Sequence, residues 1–437
     1  MARPRLPRPP RGAPARRLRH RRGVHVDTAG RAAEGELMAT VSYRHAKWSI
    51  AALFCFLGFQ YGTWVSRLPA LKTRLDLGAG EVGLLLMACG AGAAASFPLV
   101  AVLMRRLGSR RLSLAAGAAL IAVLAALSAA PDYPLALGAV CADGVAVGCL
   151  NVAMNAQGAA LEQAYDRTAM SQLHATFSAG LLAAALLTSG VTTLTASVPA
   201  HFALSGGLLL LLLAGARPGL LTQRAAAAAD EPERDRRWTL PSATTLLMGC
   251  AMAFGTIAEG AMNDWSTLYL KDVVKASAAV APLGIAVVSV MMLLARVCAD
   301  RWRTRWGDGR VVRVGSAVAA AGLALALLAG GVVPTLLGFA CVGLGAAAVT
   351  PCVYVAAAGH GSDALALVAA MGTTGLLAGP ALIGFVAGAA SLTLGMAVVA
   401  LSALIVTLTA IWIPWRARES TARQAGDRPS LAAHENA

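Results

Sequence analysis

The feature that most constrains this chain is a succession of apolar stretches, roughly 17 to 25 residues each, separated by short polar runs. An α-helix rising about 1.5 Å per residue needs that length to cross about 30 Å of hydrocarbon. Six stretches lie at 46–66, 81–104, 112–130, 134–160, 173–194 and 200–216, and six more at 242–262, 278–300, 311–330, 334–357, 364–388 and 391–413. A spanning β-barrel would instead alternate apolar and polar residues over about ten positions. With 57% hydrophobic and 14% charged residues the chain is too apolar for a solvated surface, so its length does not translate into soluble domains. The prediction is an all-α membrane protein of twelve transmembrane helices. It comprises a basic N-terminal tail (1–45), two six-helix halves (46–216 and 242–413), a polar, Ala-rich cytoplasmic linker (217–241) and a C-terminal tail (414–437).

The net charge of +15 raises nucleic-acid binding, but the placement of the charge opposes it. Of 37 Lys and Arg, 31 fall on the side that carries both termini. Only Arg67, Lys72, Arg74, Lys271 and Lys275 fall on the other side, and Arg296 sits within a span. The positive-inside rule then places both termini in the cytoplasm, and a bacterial cytoplasmic membrane is the expected location, with the lipid bilayer as partner and no nucleic acid. The basic leader from Arg3 to Arg22 has no apolar core and is no signal peptide. It reads either as a disordered tail or as sequence upstream of a true start at Met38, and its Pro-rich, charged composition favours the second. All eight cysteines lie in apolar stretches without CxxC-type spacing, so neither disulfides nor a metal is expected, and no cofactor is called for. A monomer is expected.

The two halves resemble each other at an offset near 200 residues, the trace of a parallel structural repeat. Pro134, Gly138 and Cys141 recur as Pro334, Gly338 and Cys341; Trp64 pairs with Trp265, Gly108 with Gly307, and the GLLA at 180 with that at 375. Glycines spaced by four (Gly58 and Gly62, Gly144 and Gly148, Gly375 and Gly379) place small faces on three helices. These suit either static close packing or a moving seam.

Ionisable groups within spans are costly and therefore informative. Asp143 lies roughly 14 Å into the fourth span, near the midplane. Asn151, Asn155 and Glu162 follow at spacings of four and seven, a polar stripe suggesting a wet cavity. On the seventh span Glu259, Asn263 and Asp264 lie in the outer part, beside Trp265 and Tyr269, which could anchor at the interface. A buried carboxyl can exchange a proton as its surroundings become wet or dry, so Asp143, Glu259 and Asp264 are candidates for proton coupling. The alternative is a structural hydrogen bond or salt bridge, Arg67 being a possible partner for Glu259. His174 could titrate, or cap and pack. Gln60 and Trp64, four residues apart, could line a substrate path with Asn151, Asn155 and Trp265, or Trp64 could be interfacial. The loops RRLGSRRLSL and ADRWRTRWGDGR are related by the repeat. Arg106, Gly108, Arg110 and Arg111 in the first, with Asp300 and Arg301 in the second, could dock onto the facing half and close a cytoplasmic gate, or remain solvated.

On these residues the chain after about position 45 resembles the major facilitator superfamily. The loop motif of that family runs Gly, three residues, Asp-Arg, any residue, Gly, then basic residues. Here Arg105 stands for the Asp and Ala101 for the first Gly, while the later loop keeps Asp300 and Arg301. The segments GTWVSRLPALK, NVAMNAQGAALE, MSQLHATFSAG, EGAMNDWSTLYL and GLLAGPALIGF resemble the YbjJ-like branch, related to fucose permeases. In that branch an acidic residue often stands where this chain has Asn151, which would leave a coupling role lost or passed to Asp143. The resemblance implies two halves rocking around a central cavity, with a small-molecule substrate and protons as partners. Kinship to fucose permeases points to sugar-like uptake, whereas Ala- and Leu-rich, aromatic-poor spans suit efflux of amphiphiles. A membrane enzyme or receptor is the distant alternative: no HExxH, GxSxG, P-loop or appended sensory domain is present.

Overall fold

The computed structural model describes residues 42–222 and 241–415, except 166, 168 and 361. The leader, most of the linker and the C-terminal tail lie outside the described residues.

Thirteen helices carry the described chain, and no strand occurs among them. In the first half these are α1 (Tyr43–Ser66), the short α2 (Leu68–Arg74), α3 (Ala79–Ala129), α4 (Tyr133–Tyr165), α5 (Met170–Leu194) and α6 (Val198–Ala216). The second half holds α7 (Ala243–Asp272), α8 (Leu283–Trp306), α9 (Asp308–Ala329), α10 (Val332–Ala346), α11 (Val349–Ala358), α12 (Ser362–Ala389) and α13 (Leu392–Trp412). α3 is two spans joined at Gly108, whose φ of 72° breaks the helix, and α10 with α11 forms one broken span. The described helices thus supply twelve crossings, and the termini of the described chain lie at the same end.

Helix boundaries follow local chemistry. Ser42, Ser197, Ser242 and Ser391 each accept from a backbone N–H three residues on, satisfying a donor the first turn leaves free. The repeat is visible in the backbone: Gly108 (φ 72°, ψ 166°) and Gly307 (φ 78°, ψ 152°) turn the two equivalent loops in the same conformation. The helix pairs repeat as well. Gly180 of α5 sits on the Cys55 carbonyl of α1, and Gly375 of α12 on the Ala253 carbonyl of α7.

Burial sorts the helices. The apolar core of α1 is 83% buried and that of α7 61%, against 33% for α6, so α1 and α7 lie at the centre and α6 faces outward. Exposed side chains such as Leu194, Leu211, Leu328 and Trp412 are what an apolar solvent tolerates and water does not. This is a multi-pass membrane protein. The linker begins more firmly than its composition predicts. Leu220 and Leu221 are buried, and Gln157 of α4 donates to Ser109 Oγ and Leu221 O while accepting from Leu221 N–H.

Candidate functional site

The central helices α1, α4 and α7 bring polar side chains to one depth. Gln60 of α1 donates to Asp143 Oδ1 of α4 at 2.8 Å, and Cys89 of α3 lies 3.8 Å from the other carboxylate oxygen. The next residue along α1, Tyr61, donates to Asp264 of α7. Asp143 and Asp264 are 2% and 4% exposed, and among the described residues neither has a basic partner within 4 Å. Consecutive residues of one helix therefore hold a buried carboxyl group from each half. Trp64 packs edge-on against Tyr61 at 5.7 Å, and Trp64 and Trp265 are both 1% exposed. Neither tryptophan is interfacial: Trp265 and Tyr269, read from the sequence as anchors, are core side chains, and Tyr269 packs on Phe339.

Glu259 is paired, but with Arg296 of α8 at 3.0 Å and not with Arg67. Arg67, placed by sequence on the outer side at the end of the first span, is 4% exposed and donates to Ala196 O in the turn after α5. Arg296 also donates to Ser178 of α5, so it links the halves near mid-depth. Sequence reasoning noted Arg296 only as the one basic residue within a span. That cost was the available signal, since a charge there needs a partner.

Further links between halves lie at the end opposite the termini. Lys72 pairs with Asp272, Ser189 and Thr192 donate to Ala279 and Ala278 carbonyls, and α3 meets α12 where Gly83 faces Gly384. A Cβ at Gly83 would stand 2.9 Å from Gly384 Cα, so only glycine permits this approach. The glycine pairs singled out by spacing pack within halves instead: Gly58 and Gly62 on α5, Gly144 and Gly148 on α3, and Gly375 and Gly379 on α7.

Toward the termini Asn151 and several basic side chains are exposed. Asn151 is exposed nine residues along α4 from exposed Ala142, about two and a half turns, hence on the opposite face of the helix. Asn155 donates to Asn151 Oδ1 at 3.0 Å. Glu162 departs from the wet stripe: it accepts from the Ala169 and Met170 N–H groups at the start of α5. His174 is exposed with its ring against Phe54 at 5.0 Å. Arg110 reaches Thr222 Oγ1 and Arg217 O at the start of the linker, just past α6 of its own half, while Arg106, Arg111 and Arg301 are exposed. Gly108 turns the first of these loops, and the Asp300 side chain lies outside the described residues. Among the described residues no group of three or more His, Cys, Asp or Glu side chains comes together as a metal site requires.

Two six-helix halves meeting along α1, α7 and two helix seams, with a buried carboxyl group from each half joined to α1, define a membrane transporter fold. The chain matches the Major Facilitator Superfamily model over residues 3–171 and 49–363, and it belongs to that family. It is 32% identical over 366 residues to an uncharacterized MFS-type transporter of Yersinia pestis, covering 82% of this chain and 93% of that one. An uncharacterized transporter of Sinorhizobium fredii is 32% identical over 369 residues, covering 83% and 96%. The membrane protein MosC of Rhizobium meliloti is 29% identical over 352 residues, covering 79% and 84%. Among solved structures the nucleoside transporter NupG superposes with a TM-score of 0.64 at 14% identity, covering 84% of this chain and 98% of that one. The POT family transporter PepTSo gives 0.62 at 12%, covering 85% and 97%. At these identities the likeness is one of fold.

Proposed function

We propose that this chain is a proton-driven secondary transporter of a small organic solute, working by alternating access, with Asp143 and Asp264 as its proton-carrying groups. The observation that carries the reading is the burial of one carboxyl group from each half, held by Gln60 and Tyr61 with no cation within 4 Å of either among the described residues. An ionised carboxylate sealed from water without a cation is far costlier than the neutral acid. Closing the far end over these groups therefore favours taking a proton inward, and parting Tyr61 from Asp264 at that end wets the group again. Glu259 suits the role less well because Arg296 neutralises it, and His174 because it stays exposed in this state. With most basic residues on the terminus side, the positive-inside rule makes that side cytoplasmic, so this state is closed to the outside and open inward. Asn151 and Asn155, on the open side of the seal, are the amides best placed to meet a sugar-like solute.

The first test is a thermal-shift screen of the purified protein against monosaccharides, nucleosides and cationic amphiphiles, since a ligand at 100 times its Kd stabilises by about 2.7 kcal/mol. A hit is then followed as flux into proteoliposomes. Asp264→Asn and Asp143→Asn are expected to lose pH-driven accumulation while retaining solute exchange. Accumulation preserved in both variants removes the proton assignment, and a ligand that binds without flux removes the transport reading. Hits confined to amphiphiles, with proton-driven export, would make the direction efflux.

A further inference from the structure

At the end opposite the termini, a cavity of about 510 Å³ lies between the halves. One wall comes from the end of α1 and from α2, with Ser66, Arg67 and Arg74; the facing wall includes Thr267 and Lys271 of α7. Among the described residues three basic side chains, Arg67, Arg74 and Lys271, line it and no carboxylate does. The adjacent Asp272 is held by Lys72. Ser66, Arg67 and Thr267 are each more than nine-tenths buried, and beneath the lining Ser66 Oγ, Arg67 Nε and Thr267 Oγ1 have no hydrogen-bond partner among the described residues. An orphaned buried polar group costs about 1–3 kcal/mol, so three around one cavity are poorly explained by packing alone. The Arg67 guanidinium is held in place, its Nη2 donating to the carbonyl of Ala196, another lining residue, at 2.7 Å. The remaining wall is mainly apolar, with Pro69, Val198 and Pro282.

We propose that this cavity is a binding site for a small organic anion with a compact apolar body. Its carboxylate or phosphate meets the charges of Arg67 and Lys271, the Ser66 and Thr267 hydroxyls turn from beneath the lining to donate to it, and the apolar body rests on the prolines and Val198. Because the two walls belong to different halves, the bound anion bridges them and favours the state in which this end is closed. The site is separate from Asp143 and Asp264, and its occupancy is measurable without any transported solute.

The test is a calorimetric titration of the full chain in maltoside micelles with benzoate, against sodium chloride at equal ionic strength. Saturable binding beyond the chloride control is expected, with Lys271→Gln and Thr267→Val each weakening it roughly tenfold, about 1.4 kcal/mol. Lys271 is exposed and Thr267→Val keeps its shape, so both variants are expected to fold, as their melting curves without ligand will report. No binding beyond chloride, or unchanged binding in both folded variants, overturns the site. Repeating the titration in nanodiscs with and without phosphatidylglycerol identifies the natural source. Competition by the anionic lipid assigns the site to a lipid phosphate, and undiminished binding assigns it to a soluble anion.

Discussion

Glu259 and Asp264 lie on the same helix five residues apart, yet their surroundings give them opposite characters. Glu259 meets Arg296 at 3.0 Å with both side chains about a quarter exposed, which makes a neutral pair of two charges that would be costly alone. Asp264 meets only the Tyr61 hydroxyl among the described residues. A double-mutant cycle separates these characters. Glu259→Gln and Arg296→Gln should each destabilise the protein, and the double variant should recover part of the loss, with a coupling on the order of 1 kcal/mol at this exposure. Asp264→Asn should leave the melting temperature nearly unchanged or raised, because it removes no ion pair; a loss larger than that of Glu259→Gln would show the carboxyl to be a structural element.

Glycines act at the scale of elements, and their effect depends on which helices they join. Gly144 lets α4 lie against α3 within one half, where a Cβ would stand 1.8 Å from the Cys89 carbonyl oxygen. Gly83 lets α3 lie against α12 across the halves. Gly144→Leu should therefore lower stability and expression, whereas Gly83→Leu should leave each half intact and push the far end open. Labelling of Cys89 by an impermeant maleimide from the side opposite the termini, in a chain whose other cysteines are serine, should speed up in Gly83→Leu. No change in rate would mean the α3–α12 contact does not hold that end closed. The loop glycines carry a backbone role instead. No atom would meet a Cβ at Gly307, so Gly307→Ala should cost only its positive φ with extended ψ, a region nearly exclusive to glycine, about 1–3 kcal/mol, read as a lowered melting temperature.

For the whole molecule, the links between halves are unequally distributed: Lys72–Asp272, Tyr61–Asp264, Ser189–Ala279 and the glycine seam all lie between the far end and mid-depth. A rigid-body exchange of access must break this set together and build another at the terminus side, where the Arg110 loop now rests on its own half. Joining Lys72→Cys to Asp272→Cys with a short bismaleimide should abolish solute flux while leaving ligand binding from the terminus side intact. Flux that survives cross-linking would mean this end does not open during transport.

The sequence by itself determined twelve crossings, the two-half repeat and the family, because these rest on chain length, apolar runs and turn glycines, which act locally. It also identified the residues in question, Gln60, Asp143, Glu259 and Asp264, since polarity inside a span is conspicuous. It did not identify their partners. Arg296 for Glu259, Tyr61 for Asp264, Gln60 for Asp143 and Ser109 for Gln157 are separated by 37 to 203 residues, and helix periodicity fixes a face without naming the helix opposite. The burial of Trp265 and Arg67, and the division of glycines between static packing and the seam, were decided only by the tertiary structure. The physical reason is that composition and periodicity show how apolar a spanning helix is and which face is polar, whereas which helix that face meets is settled only by packing.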